Sequence, residues 1–276
     1  MSGHRITIEV APFVSIVTVS LNAASTIGDA LQSVALQRGG LPLEHVCVDG
    51  GSRDATRALI DAAAASHPHI RCVYGPDRGI YDAMNKGLAA CRGEYVLYLN
   101  ADDFLVCADT LSRAFEGLTP GDADNPDLVV GDVAMARLGQ CGLWRHRRVP
   151  RALSSWPGRG LFPVHQGRFV QRWLIEAVGG FDAGSRLAAD VTQFYDMERL
   201  RPLRIRRVRE DIAFMRAGGA ANGSLAAMWL GTREIHAHLR RHRGRLRSAS
   251  MALVKTLQSL SEVRYGPCPH RRWFAG

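Results

Sequence analysis

The stretch YVLYLNADD, Tyr95 to Asp103, reads as an apolar strand that ends in two adjacent carboxylates, Asp102 and Asp103. Neighbouring carboxylates repel, and near a protein interior the repulsion is poorly screened. With no lysine or arginine adjacent, the pair suits a hard divalent cation. Mg2+ or Mn2+ takes one or two protein carboxylates and completes its shell with substrate phosphate oxygens. Such an ion would stabilise charge developing on a diphosphate leaving group. The competing reading is structural, with Asp102 or Asp103 capping a helix over FLVCADTLSRAF. A second acidic strand end is VDGGSRD, where Asp49 precedes Gly50 and Gly51. A carboxylate there suits hydrogen bonding to a base or ribose better than cradling phosphate. A tight turn with a helix cap explains it equally well. The two familiar phosphate loops are absent: no G-x-G-x-x-G follows the first strand, and no G-x-x-x-x-G-K-[ST] occurs. That argues against a dinucleotide-dependent oxidoreductase and against a P-loop enzyme.

The elements that position these residues alternate along the N-terminal half. VSIVTVSL, LEHVCVDG, IRCVYG and EYVLYLN are short apolar strands. Between them, TIGDALQSVALQ places Ile27, Leu31, Val34 and Ala35 at helical spacing, with Ser25 as its cap. SRDATRALIDAAAASH is a second helix, capped by Ser52 or Asp54. GIYDAMNKGLAAC sets Ile80, Ala83, Met84, Gly87 and Leu88 on one face. Such alternation predicts a parallel, doubly wound sheet, whose ligands bind at the carboxyl ends of its strands. That rim collects Ser20 and Asn22, then Asp49, then Asp77 and Arg78, then Asn100, Asp102 and Asp103. The second half is less regular. PDLVVGDVAMAR reads as a strand or hairpin, RFVQRWLIEAVGGFD as a helix ending at Gly179 or Gly180, and DVTQFYDMERL as a short helix. LAAMWLGTREIHAHLRRHR and the amphipathic ASMALVKTLQSLSEV read as further helices.

The chain has 276 residues, 46% hydrophobic and 22% charged, as expected of a soluble domain with a good core. Its net charge of +9 comes from late arginine bursts, RLRPLRIRRVRE and HLRRHRGRLR. These suggest an anionic partner or a solvated basic surface. The six cysteines lack C-x-x-C spacing and several sit in apolar runs, which fits buried free thiols. The N-terminus lacks the pattern of a signal peptide, and no segment is long enough to span a bilayer. The expectation is a cytoplasmic protein with at most peripheral membrane contact, through the basic residues and amphipathic helix of the tail. Nucleic acid is not an expected partner.

Taken together, VSIVTVSLNAASTIGDALQSVALQ, HVCVDGGSRDAT and GPDRGIYDAMNKGLAACRGEYVLYLNADD resemble the nucleotide-binding half of a family 2 glycosyltransferase. The resemblance is to bacterial exopolysaccharide enzymes of the colanic-acid type. It continues more weakly through PVHQGRFVQR, GGFD and AAD to about Gly219. It implies an α/β protein with the GT-A fold, a Rossmann-like, mostly parallel sheet flanked by helices, over residues 1–224. A basic helical C-terminal extension would occupy residues 225–276.

Carried over position by position, the resemblance implies that Thr18, Ser20 and Asn22 line the nucleotide and that Asp49 contacts the base. Asp77 and Arg78 would flank the nucleotide, with Lys86 close by. NADD would be the DXD-type motif, with Asn100 in its first position. Asp102 would then face ribose and metal, and Asp103 metal and diphosphate. Asp190 sits where the family places its general base; the alternative is an N-cap for VTQFYDMERL. Asp182 in GGFD competes for that role, although a turn after Gly180 explains it better. His165 falls in a block that faces the donor diphosphate or metal, or else satisfies buried backbone groups. Gly50 stands where a second acidic residue is common. The Q-x-x-R-W signature of processive synthases is absent, which favours single additions.

The implied activity is inverting transfer of one sugar from a nucleotide-sugar donor, UDP-linked or GDP-linked with UDP favoured, using Mn2+ or Mg2+. The acceptor would be a glycan or a polyprenyl-linked lipid in cell-envelope or exopolysaccharide synthesis. Two alternatives are a catalytically silent binding or assembly protein of the same fold and a sugar nucleotidyltransferase. The second lacks its usual glycine- and arginine-rich loop after the first strand.

Overall fold

The computed structural model describes residues 11–136, 144–147, 163–216 and 225–243. The tail helix ASMALVKTLQSLSEV, the AGGAANGS segment, Cys141 and Cys268 lie outside them. In the first half the expected alternation is present. Strands β1 (Val14–Ser20), β2 (Leu43–Asp49), β3 (Ile70–Tyr74) and β4 (Tyr95–Tyr98) are separated by helices α1 (Ile27–Ala35), α2 (Thr56–Ser66) and α3 (Ile80–Ala90). β1 pairs parallel with β2 and with β4, and β2 with β3. Every residue of β1 is buried, as an apolar strand covered on both faces must be. Val14 and Ile16 join the core on one face, and Val17 and Val19 join the core on the other. Gly87 lets α3 lie directly on β1, because a β-carbon there would collide with Val17. Ile80 is exposed rather than packed, since α3 begins at the open rim of the sheet.

The second half widens the sheet with non-local partners. It contains β5 (Phe104–Leu105), α4 (Thr110–Ala114), β6 (Leu128–Ala136), β7 (Trp144–Arg147), a 3-10 turn (His165–Gly167) and β8 (Arg168–Gln171). Then follow α5 (Arg172–Ala177), α6 (Ala189–Leu200), β9 (Ile205–Arg216) and α7 (Leu225–Arg243). The order is β3-β2-β1-β4-β8-β6-β9-β5, with β7 beside β6. β1, β2, β3, β4, β6 and β9 share one direction; β5, β7 and β8 oppose them. The sheet is therefore mostly parallel and flanked by helices, as expected for GT-A.

Two local readings change. Phe104 and Leu105 form a strand against Phe214 and Ala213 rather than opening a helix, and α4 begins only after Asp109. Asp102 and Asp103 are thus not helix caps. Arg168–Gln171 is a strand inserted between β4 and β6, so only Arg172–Ala177 of RFVQRWLIEAVGGFD is helical. Both changes come from pairing partners remote in sequence. The chain does turn at Gly179 and Gly180, with φ of 81° and 76°.

The arginine bursts have internal partners in part. Arg201 and Arg204 pair with the buried Asp127 and Arg207 with Asp132; beyond the bursts, Arg216 pairs with Asp29. Helix α7 packs on α6 and buries Ile235 and Leu239 in the same core as Phe194 and Met197. Cys47, Cys72, Cys91 and Cys107 are free thiols, with Cys47 and Cys91 buried. Among the described residues no helix is long and apolar enough to cross a membrane.

Glu44, toward the start of β2, shows how this fold treats a buried carboxylate that has partners. It accepts hydrogen bonds from the Ser15 hydroxyl (2.6 Å), the Arg92 and Gly93 amides and the Arg71 guanidinium (3.2 Å). Burial pushes its carboxyl up, but these bonds outweigh burial and leave it below the ordinary range.

Candidate functional site

At the opposite, carboxyl end of the strands, Asp103 has no such cationic partner among the described residues. It is 2% exposed. One of its oxygens accepts hydrogen bonds from the side-chain amides of Asn100 (3.1 Å) and Gln166 (3.0 Å). Burial, followed by the neighbouring charge of Asp102, pushes its carboxyl up to about 7. Among the described residues, no lysine or arginine side chain pairs with Asp102 or Asp103. The carbonyl oxygens of Asn100 and Gln166 are buried without hydrogen-bond partners, and so is Nε2 of His165. Buried polar atoms are ordinarily satisfied. These three unsatisfied atoms, two of them on the amides that hold the Asp103 carboxyl, leave room for a hydrogen-bond donor or a cation.

Asp190 lies in the first turn of α6. Its Oδ2 is 3.2 Å from Nδ1 of His165, and its Oδ1 accepts a long 3.5 Å bond from the Tyr81 hydroxyl. Arg168, a fully buried guanidinium, donates to the Asp190 carbonyl at 2.8 Å. Burial lowers the Arg168 pKa, and the charge of Asp190 opposes that shift. The 3-10 turn joins the two acidic centres. Its first residue, His165, contacts Asp190, and the next, Gln166, contacts Asp103. The turn is placed by β8, which lies between β4 and β6.

The loops after β1 and β2 form a second, stitched region. Asp49 is buried and accepts from the Ser52 hydroxyl (2.5 Å), the Ser52 amide (3.0 Å) and the Gly51 amide (3.3 Å). Ser20 donates to Asp49 at 3.4 Å and to the Val48 carbonyl at 3.1 Å. Asn22 adopts φ of 51°, accepts from the Arg53 amide (2.9 Å) and donates its own amide to Ser52 (2.7 Å). Asp77 lies against the Cα of Gly50, so a side chain at position 50 would collide with its carboxylate. The acidic residue missing at 50 thus has Asp77 occupying its space from the neighbouring loop. Asp77 also accepts from the Gly79 amide at 3.1 Å.

Of the residues expected at the site, the structure gathers Ser20, Asn22 and Asp49 in one group with Asp77 beside Gly50. It gathers Asn100, Asp103, His165 and Asp190 in another, with Asp102 adjacent in the chain. Thr18 stands apart: it is wholly buried, and its hydroxyl is bonded to Nε2 of His45 at 2.9 Å. Arg78 and Lys86 both turn to Asp82 on α3, at 2.8 and 3.7 Å, and Lys86 also bonds the Pro76 carbonyl. The ligand trio of Asp102, Asp103 and His165 is not assembled. Among the described residues no group of three His, Cys, Asp or Glu side chains is placed to hold a metal, and His165 faces Asp190 instead. Asp182 serves a turn, accepting from the Gly184 amide at 2.9 Å. Sequence reasoning missed Gln166, Arg168 and Tyr81. Tyr81 falls on the apolar face of α3 and reads as core. Gln166 was visible only as the neighbour of His165.

Comparison with known proteins agrees with this architecture. The chain is 34% identical over 189 residues to a PGL/p-HBAD biosynthesis glycosyltransferase of Mycobacterium bovis, covering 65% of this chain and 67% of that protein. It is 37% identical over 198 residues to the succinoglycan biosynthesis protein ExoO of Rhizobium meliloti, covering 66% and 55%. The mannosyltransferase PcManGT of Pyrobaculum calidifontis, solved with GDP-Man and Mn2+, shares the fold with a TM-score of 0.60. There the identity is 20%, over 91% of this chain and 71% of that one. The sequence model of glycosyl transferase family 2 matches residues 15–179, more than half of the chain, and the chain belongs to that family.

Proposed function

We propose that this chain is a metal-dependent, inverting glycosyltransferase. It moves one sugar from a UDP- or GDP-linked donor to a hydroxyl of a glycan or polyprenyl-linked acceptor, at the cytoplasmic side of cell-envelope or exopolysaccharide synthesis. The observation that carries this reading is the pair of carboxylates with different surroundings held by one turn. Asp103 is buried with no lysine or arginine partner among the described residues, whereas Asp190 is hydrogen-bonded and partly open.

Inverting transfer requires in-line attack by the acceptor hydroxyl, opposite the departing diphosphate. That hydroxyl is a weak nucleophile, so a carboxylate must take its proton as the bond forms. Asp190 is that base, oriented by His165 and Tyr81. A single carboxylate suffices when no acid is needed at the leaving group, unlike glycoside hydrolysis, which uses two.

The donor set fits a hard cation: Asp102 and Asp103 would hold it, and the unpartnered amide oxygens of Asn100 and Gln166 are further oxygen donors close by. When bound, the ion supplies charge neutralisation at the leaving diphosphate. Ser20, Asn22, Asp49 and Asp77 form the wall on which the nucleoside rests. Asp49 is offered to the base, and Asp77, packed over Gly50, flanks the nucleotide. A peripheral membrane contact is favoured by the outer face of α7, where Trp229 is 64% exposed beneath Arg233 and where Arg240 and Arg241 are also exposed.

The test is a panel of UDP- and GDP-sugars, with and without Mn2+, incubated with envelope glycans and polyprenyl-linked acceptors. The expected result is Mn2+-dependent release of one nucleoside diphosphate, with an anomerically inverted product by NMR. Nucleotide binding without turnover would favour the silent assembly protein. Release of pyrophosphate from a sugar phosphate and a nucleoside triphosphate would favour the nucleotidyltransferase.

A further inference from the structure

Asp190 is gripped at its side chain by His165 and Tyr81 and at its carbonyl by Arg168. The segment leading into it is gripped by α7. Glu234, on the inner face of that helix, accepts four hydrogen bonds from residues 185–188. One carboxylate oxygen takes the Ser185 hydroxyl (2.7 Å), the Leu187 amide (3.0 Å) and the Ala188 amide (3.1 Å); the other takes the Arg186 amide (3.0 Å). Ala188 is the residue from which α6 starts, and it has no side-chain cap of its own. Asp190 follows two residues later. Helix α7 is itself fixed to α6 by buried Ile235 and Leu239 and by a 3.0 Å contact between His238 and Asp196.

We infer that Glu234 is a positioning residue for Asp190, acting through the 185–188 loop; the inference rests on the reading of Asp190 as the base. Three backbone donors converging on one ionised carboxylate make charge-assisted bonds, stronger than neutral ones. Without that carboxylate the amides of Arg186 and Leu187 lose this acceptor, and the Ala188 amide is left with the Ser185 hydroxyl at 3.2 Å. The start of α6 then loses its hydrogen bonds to Glu234. A base displaced by about 1 Å can cost roughly 100-fold in rate. Glu234 also lies within electrostatic reach of the site. After burial, the charges of Asp190 and Glu234 raise the Tyr81 phenol well above its ordinary pKa. Helix α7 is on this account part of the catalytic unit.

The experiment compares Glu234→Ala and Glu234→Gln in the full chain, alone and in an Asp190→Asn background, by kcat, Mn2+–nucleotide affinity and melting temperature. Glu234→Ala is expected to lower kcat by about 10- to 100-fold while nucleotide affinity stays within about twofold. Glu234→Gln keeps acceptor oxygen but no charge, and should fall between. Neither substitution should slow the Asp190→Asn enzyme further, because the two act on one step. If Glu234→Ala does not fold, Glu234→Gln carries the same comparison. Wild-type turnover by folded Glu234→Gln, or parallel loss of nucleotide affinity, overturns the inference while leaving Asp190 as the base. A fast Asp190→Asn enzyme removes the base assignment and this inference with it.

Discussion

Replacing Asp190 by Asn lowers sugar transfer by about 1,000-fold or more, yet leaves Mn2+–nucleotide affinity within about twofold. The amide keeps the shape of the carboxylate and can still accept a hydrogen bond from Tyr81 or His165. What it cannot do is take a proton from the acceptor hydroxyl. General-base contributions span roughly 100- to 10,000-fold, and the competing candidate Asp182 is engaged in the turn before α6. Initial rates and calorimetric nucleotide titrations on the same preparation separate the two quantities. A rate near wild type would move the base elsewhere.

The second large effect is at Asp103. Asp103→Asn should weaken Mn2+ binding by about 100-fold and remove the Mn2+ dependence of donor binding. The pH dependence has a definite sign. Burial and Asp102 raise the Asp103 carboxyl to about 7 in the metal-free protein, so protons compete with the ion as pH falls through that value. Wild-type Mn2+ affinity should therefore drop between pH 8 and pH 6, whereas residual binding by Asp103→Asn should be nearly flat. The same shift acts on stability. A carboxyl raised in the folded state stabilises the fold below its unfolded value near 3.8, and that stabilisation is lost as pH rises through about 7. Metal-free Asp103→Asn should accordingly melt higher than metal-free wild type at pH 8, and the difference should shrink toward pH 4. Calorimetry with Mn2+ and thermal melts in chelator read both. Unchanged Mn2+ affinity in the variant would remove Asp103 from the ion site.

The first half of the fold was legible because its information is local. Apolar runs such as Val14–Ser20 and the helical spacing of Ile27, Leu31 and Val34 are read one element at a time, and parallel winding follows from their order. The rim residues could be named because such a sheet presents its strand ends on one edge. What could not be read depends on distant partners. β5 exists because β9 returns beside it, and β8 exists because it fills the gap between β4 and β6. Thr18 illustrates the limit inside a strand, where alternation does not reveal that His45 waits across the ladder. The contacts of Gln166 and Glu234 could not be read for the same reason. Each is an ordinary polar residue until the fold sets it against Asp103 or against the loop before Asp190.

The central claim is that Asp102 and Asp103 hold a divalent ion against the diphosphate of a sugar nucleotide. Crystals grown with Mn2+ and a non-hydrolysable sugar nucleotide test it at the manganese absorption edge. The account predicts one anomalous peak bonded to Asp103 and to diphosphate oxygens, at the carboxyl end of β4, with Asp190 facing the sugar. A diphosphate bound with no anomalous peak beside Asp103, or a peak remote from both aspartates, would contradict it.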